Sequence, residues 1–126
     1  MALESQLWSW LSKVRALSEG AVDMERIENF LGAGFPDVDG FAALPNETPF
    51  AFKLELKSSL RPARAVTPIR FKLKGREKQI EFLRRRVNMG EAAFFLLQVG
   101  EYSERRLYLA PGNCGEDLQS GLTESE

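Results

Sequence analysis

A stretch of strict alternation, FAFKLELK at residues 50–57, most constrains how this chain folds. Alternation of apolar and polar residues is typical of a β-strand with one face toward a core, because successive side chains of a strand point to opposite faces. One face then carries Phe50, Phe52, Leu54 and Leu56, and the other carries Ala51, Lys53, Glu55 and Lys57. The second face therefore brings a carboxylate and two lysines together on one strand.

The rest of the chain contains signals for two helices and four further strands. Apolar residues at helical spacing predict a helix over residues 3–18 that ends at Gly20, and a second over residues 75–89 that ends at Gly90. Strands are predicted at residues 21–29, 36–44, 92–100 and 105–110; the 92–100 segment is apolar on both faces, as in a buried central strand. The order αβββαββ predicts the α/β or α+β class, with a central mixed sheet of about five strands flanked by helices.

Length and composition indicate one globular domain. The 126 residues are 44% hydrophobic and 28% charged, which is ordinary for a chain that buries a core. We expect this domain to cover residues 1–111 and to be followed by an acidic, mobile C-terminal tail at residues 112–126. Neither a membrane-spanning run nor a leader pattern is seen, so no membrane contact and a cytoplasmic location are expected.

Two residue counts limit the chemistry. The chain has no histidine and a single cysteine, which excludes an internal disulfide, the usual zinc sites and hydrolysis that relies on a histidine base. Any enzymatic activity must therefore rest on carboxylates and lysines, with or without a hard metal ion.

The net charge of −1 conceals a strong asymmetry. Residues 53–86 contain twelve basic and three acidic side chains, a net +9, which leaves −10 for the remainder. Such a segment predicts a polyanionic partner that meets one face of the protein, although charge alone fits a solvated helix face equally well. The candidate nucleic-acid-binding residues are Arg61, Arg64, Arg70, Lys72, Lys74, Arg76 and Lys78.

A second acidic residue is expected to approach the alternating strand. Asp37 heads the preceding strand, which a short turn makes an antiparallel neighbour, so its carboxylate reaches Glu55 if the register pairs them. Two carboxylates about 4 Å apart repel by about 4 kcal/mol at an effective dielectric constant of about 20, and a divalent cation would supply the counter-charge. Oxygen ligands suit Mg²⁺ or Mn²⁺, and Lys57 can orient a water or offset charge on phosphorus. The alternative is a solvated Glu55–Lys57 ion pair, with Asp37 as a turn residue.

The spacing of these residues resembles the signature of a known superfamily. PD at residues 36–37, followed by ELK at residues 55–57, resembles the PD-(D/E)XK nuclease motif. The wider stretches RIENFLGAGFPDVDG and KQIEFLRRRVNMG are similar to the VRR-NUC (virus-type replication-repair) nucleases and, more distantly, to archaeal Holliday junction resolvases, over roughly residues 4–99. The resemblance implies a restriction-endonuclease-like core and a metal-dependent endonuclease acting on DNA in phage or bacterial replication and repair. It also implies a homodimer in a bacterial cell or phage-infected host, with branched, flapped or junction DNA as the substrates to test.

The resemblance also assigns roles to residues of this sequence. Asp37 and Glu55 would be metal ligands together with the Leu56 carbonyl, and Lys57 would be the catalytic lysine.

The same resemblance suggests roles for four further side chains. Either Glu4, in the first helix, or Glu28 would complete the site, Gln79 would help to position it from the second helix, and Asp39 would lie next to it. The rival interpretation is a DNA-binding or regulatory protein that keeps the nuclease fold without cleavage.

Overall fold

A computed structural model describes residues 3–27, 36–71, 77–100 and 104–124, except for the side chains of residues 3–5 and 77. Eight elements follow one another along these segments: α1 (Leu3–Leu17), β1 (Val22–Arg26), β2 (Val38–Ala42), β3 (Phe50–Ser59), α2 (Glu77–Asn88), β4 (Ala92–Val99), β5 (Arg106–Pro111) and α3 (Gly115–Ser120).

The strands form one open sheet in the order β1-β2-β3-β4-β5. Neighbouring strands are antiparallel except for β3 and β4, which run parallel because α2 crosses over between them. The predicted class, a mixed sheet of five strands flanked by helices, is confirmed at this coarse level. The observed order matches the predicted αβββαββ and adds a short third helix.

Each face of the sheet packs on its own hydrophobic core. On one face, Leu7 and Leu11 of α1 pack on Leu54 and Leu56 of β3. On the other face, α2 and α3 cover β4 and β5 through Ile80, Leu83, Phe95, Leu97 and Leu118. The centre of the sheet is therefore buried on both sides, as the doubly apolar sequence of β4 predicted.

The C-terminal segment is folded against the sheet, so the expectation of a mobile tail from residue 112 was wrong for residues 112–124. Leu118 of α3 is only 2% exposed. Backbone hydrogen bonds join Ile69 and Leu122 in both directions, at 2.7 and 3.0 Å. The segment reads as polar because two leucines, spaced four residues apart, supply most of its apolar contact. Residues 125 and 126 lie outside the described part.

Candidate active site

The face of β3 that carries Glu55 and Lys57 is covered by protein. Their partners in the parallel register with β4 are Phe95 and Leu97, which belong to the core beneath α2 and α3. Glu55 is 0% exposed and Lys57 is 8% exposed. Ionisable side chains are rarely buried to this degree unless an interaction or a function retains them. The solvated ion pair considered from the sequence is therefore wrong, because neither side chain is solvated.

Asp37 lies against the same part of β3. Its Oδ2 accepts a hydrogen bond of 3.0 Å from the backbone N–H of Leu56. Its backbone carbonyl accepts another, of 2.7 Å, from the N–H of Ile27, which extends the pairing of β1 with β2. Since Val38 pairs with Leu54, continuing the antiparallel register by one residue sets Asp37 opposite Glu55. The observed pairing of Val38 with Leu54 is thus the register that the sequence prediction required.

Three groups that carry oxygen atoms lie at this end of β3. Two are the carboxylates of Asp37 and Glu55. The third is the carbonyl of Leu56, because the N–H and C=O of a strand residue face the same neighbouring strand and the Leu56 N–H faces Asp37. Hard oxygen donors of this kind fit Mg²⁺ or Mn²⁺. Within the described ranges, no group of three or more acidic, cysteine or histidine side chains is suited to a metal ion.

The two glutamates proposed as a further ligand differ in what the structure says about them. Glu4 belongs to the first turns of α1, but its side chain is outside the described part. Glu28 lies outside the described residues altogether. The choice between Glu4 and Glu28 stays a prediction.

Two lysines on the same face of β3 have different surroundings. The Nζ of Lys53 lies 2.9 Å from a carboxylate oxygen of Asp39 and 4.0 Å from Glu91. Lys57, two residues further along, forms no ion pair of 4.0 Å or less with the described residues. Asp39 is therefore paired with Lys53, whereas Lys57 has no carboxylate partner among the described residues. The spacing along β3 could have suggested that Lys53 pairs with Asp39, whereas nothing in the sequence pointed to Glu91.

Gln79 sits in the first turns of α2, the helix that covers the face of Glu55 and Lys57. The next residue, Ile80, is packed in the core together with Phe95. The Gln79 side-chain oxygen is buried and accepts no hydrogen bond from any described residue. A buried amide oxygen without a hydrogen-bond donor lowers the stability of the folded protein. The Gln79 oxygen can therefore accept a hydrogen bond from a bound group.

The predicted nucleic-acid-binding residues differ in their exposure and in their contacts. Arg64 and Lys78 have exposed side chains, and the Nε of Arg70 donates to the Ser120 carbonyl at 3.1 Å. Arg61 is occupied by an ion pair of 2.7 Å with Glu124. The remaining three, Lys72, Lys74 and Arg76, lie outside the described residues.

The partner of Arg61, Glu124, was missed by the sequence analysis. Its carboxylate also accepts a hydrogen bond from the hydroxyl of Tyr108. The hydrogen bond from Arg61, and then that from Tyr108, hold the pKa of Glu124 below its ordinary value. The same carboxylate raises the pKa of Tyr108. The acidic C-terminal segment thus neutralises part of the basic loop that follows β3.

Comparison of the chain with protein-family models, curated proteins and solved structures gives no match. In the part of the chain that the structure describes, no helix combines the length and apolar character needed to cross a membrane.

Proposed function

We propose that this protein is a metal-dependent endonuclease that hydrolyses phosphodiester bonds in DNA. The observation that carries the proposal is the hydrogen bond from the Leu56 N–H to the Asp37 carboxylate, which ties Asp37 to the Glu55-Leu56-Lys57 segment of β3. Support comes from the position of Glu55 and Lys57 on the same face of β3 and from the resemblance of these residues to the PD-(D/E)XK motif.

In this proposal, Asp37, Glu55 and the Leu56 carbonyl would hold Mg²⁺ or Mn²⁺. When bound, the ion supplies Lewis-acid polarisation of the phosphoryl group and a more acidic water. Lys57 donates hydrogen bonds to a non-bridging phosphate oxygen, where negative charge develops during the reaction. Gln79 accepts a hydrogen bond and so helps to orient the group at the site, while Arg64 and Lys78 contact neighbouring phosphates.

The test is cleavage of labelled linear, nicked, flapped and four-way-junction DNA with Mn²⁺, Mg²⁺ or EDTA. We expect Glu55→Gln and Lys57→Met to lower the cleavage rate by about 10²–10³-fold, the range for loss of one electrostatic stabiliser. Lys53→Met is the matched control because it removes a lysine from the same strand face, and it should retain most of the activity. Cleavage that persists in EDTA, or in Glu55→Gln, would contradict the metal mechanism.

The complete burial of Glu55 favours one alternative, a DNA-binding or regulatory protein that does not cleave. A carboxylate with no exposed surface can be retained for structural reasons alone. This alternative predicts salt-dependent DNA binding without cleavage of any substrate in the panel, and it predicts that Lys57→Met leaves the biological activity intact.

The homodimer and the cytoplasmic location stay predictions. Sedimentation analysis with and without DNA would measure the oligomeric state.

A further inference from the structure

An arginine-lined cavity begins at Arg61, four residues after Lys57 of the proposed active site. It has a volume of about 600 Å³ and is formed by the loop after β3 against the start of β5 and the C-terminal segment. Neither Asp37, Glu55 nor Lys57 lines it. Its charged lining consists of Arg61, Arg64, Arg106 and Glu124. The cavity is large enough for a phosphate group with part of a nucleotide, since small-molecule pockets measure about 300–1,000 Å³.

Glu124 occupies the arginine-rich cavity in the way that an anionic ligand would. One of its carboxylate oxygens accepts the 2.7 Å hydrogen bond from Arg61 Nε, and the other accepts the hydrogen bond from the Tyr108 hydroxyl. Arg106 also lowers the pKa of Glu124 through its charge. A carboxylate and a phosphate each present two oxygens that accept charge-assisted hydrogen bonds from the guanidinium group of an arginine, so one can replace the other.

Arg61 is held in position without help from Glu124. Its Nη1 donates to the backbone carbonyl of Glu104 at 2.7 Å, and its Nη2 donates to that of Val99 at 3.4 Å. These two contacts come from the end of β4 and the turn that follows it. The guanidinium group would therefore stay in the cavity if Glu124 left, which makes it a preformed anion-binding group.

Two other arginines supply charge that Glu124 does not cancel. Three guanidinium groups line the cavity against one carboxylate. Arg64 has an exposed side chain and forms no ion pair with a described residue. An excess of positive charge in a concave surface attracts anions more strongly than the same charges on a flat one.

The cavity is within reach of a nucleic acid strand held at Lys57. Arg61 follows Lys57 by four residues, so the backbone separates them by at most about 14 Å. Successive phosphates of one DNA strand are spaced by about 3.4 Å along the helix axis. A strand at Lys57 thus presents another phosphate to the cavity within about four nucleotides.

We propose that this cavity binds a backbone phosphate of DNA and that Glu124 is an internal competitor, displaced when the phosphate enters. The proposal rests on the proposed function for the identity of the ligand, but it does not depend on cleavage. The Glu124 carboxylate thereby limits the affinity of the basic loop for DNA.

The experiment measures the binding of a fluorescent DNA oligonucleotide in EDTA, where the proposed cleavage is absent, as a function of salt. We expect Glu124→Gln to raise the affinity about five- to tenfold, at the lower end of couplings between sites. The salt dependence should become steeper by about one phosphate contact. Tyr108→Phe, which keeps every charge, should raise the affinity by less, and Arg106→Ala should lower it.

The matched control is Glu116→Gln. It removes the same charge and likewise releases an arginine, because Glu116 pairs with Arg84 on the surface outside the cavity. An equal gain for Glu116→Gln and Glu124→Gln, or no gain for Glu124→Gln, would overturn the proposal. Thermal melting of each variant establishes that the protein compared is folded.

Two further results separate the possible ligands and the two proposals. If Glu124→Gln gains affinity for inorganic phosphate but not for the oligonucleotide, the cavity takes free phosphate and the proposal as stated is wrong. A gain in DNA affinity without cleavage under any condition supports the cavity proposal while contradicting the nuclease function. Cleavage by the unmodified protein, with no change in DNA affinity for Glu124→Gln, supports the nuclease function and contradicts the cavity proposal.

Discussion

The Asp37 carboxylate is bound to the backbone of Leu56, 19 residues later in the chain, through a hydrogen bond of 3.0 Å. Both residues lie at the point where β2 begins and β3 continues past it. The bond gives the Leu56 N–H an acceptor where β2 provides no paired residue. It also brings the Asp37 side chain to the segment that carries Glu55 and Lys57, so one contact serves both the sheet and the candidate site.

Two substitutions of Asp37 should therefore differ in their effect on stability but not in their effect on cleavage. Asp37→Ala leaves the Leu56 N–H without its acceptor and should lower the free energy of unfolding by about 1–3 kcal/mol. Asp37→Asn keeps an oxygen acceptor and should cost less, yet it removes the negative charge and should abolish metal-dependent cleavage as fully as Asp37→Ala. Urea unfolding and cleavage assays on both variants test this, and an active Asp37→Asn protein would contradict a ligand role.

The folding of the C-terminal segment gives a second test. Leu118 is 2% exposed in the core beneath α3, so Leu118→Ala should lower the free energy of unfolding by about 2–5 kcal/mol. Leu17→Ala makes the same chemical change at a residue that is 82% exposed, and its effect should stay within about 0.5 kcal/mol. Similar denaturant midpoints for the two variants would mean that α3 is not part of the cooperative core.

Local sequence patterns predicted those features of the fold that depend on residues close together in the chain. The alternation in β3 assigned Leu54 and Leu56 to one core and Glu55 to the opposite face, because a strand has only two faces. The site prediction additionally needed the pairing of β2 with β3, which the short turn between them favoured and the observed register supplies.

The C-terminal segment was mistaken for a tail because its stabilising contacts are distant in sequence. Arg61 and Glu124 are 63 positions apart, and no local pattern reveals that they meet. Arg61 was consequently expected to be free for nucleic acid, whereas its Nε is bound to Glu124. The buried Leu118 and the partly buried Leu122 were hidden by their polar neighbours, since two apolar residues are too few to establish a helical period.

The register of β2 on β3 should depend on a glycine. Gly40 pairs with Phe52, and a Cβ added at Gly40 would lie 2.2 Å from two atoms of the Phe52 ring. Gly40→Ala should therefore cost about 1–3 kcal/mol through overpacking. In a Phe52→Ala background the same change should cost little, so a double-mutant cycle should show a large interaction energy. Additive effects would show that the ring does not cover the glycine.

Because a register slip would move every side chain of β2 to the opposite face, Gly40→Ala should also impair cleavage if it displaces Asp37. Partial recovery of cleavage in the double variant would connect the packing of this pair to the geometry of the site.

The hydrogen bond between Tyr108 and Glu124 should make stability depend on pH in the alkaline range. The bond to the Glu124 carboxylate raises the pKa of Tyr108 above its ordinary value of 10.0. Between the unfolded and the folded pKa, the folded protein retains a proton that the unfolded chain has lost, so the free energy of unfolding falls as pH rises. The contribution is fully present below pH 10.0 and is lost as pH rises through the higher, folded pKa.

Tyr108→Phe should lack this part of the pH dependence, and Glu124→Gln should return the titration of Tyr108 toward its ordinary value because it removes the charged acceptor. Urea unfolding between pH 7 and pH 11 measures the first effect, and the ultraviolet absorbance of tyrosinate measures the second. If the unmodified protein and Tyr108→Phe lose stability in parallel over this range, the hydrogen bond does not hold the C-terminal segment in solution. Glu124 would then be free to leave the arginine-lined cavity without a bound phosphate, and the gain in DNA affinity expected for Glu124→Gln should be correspondingly small.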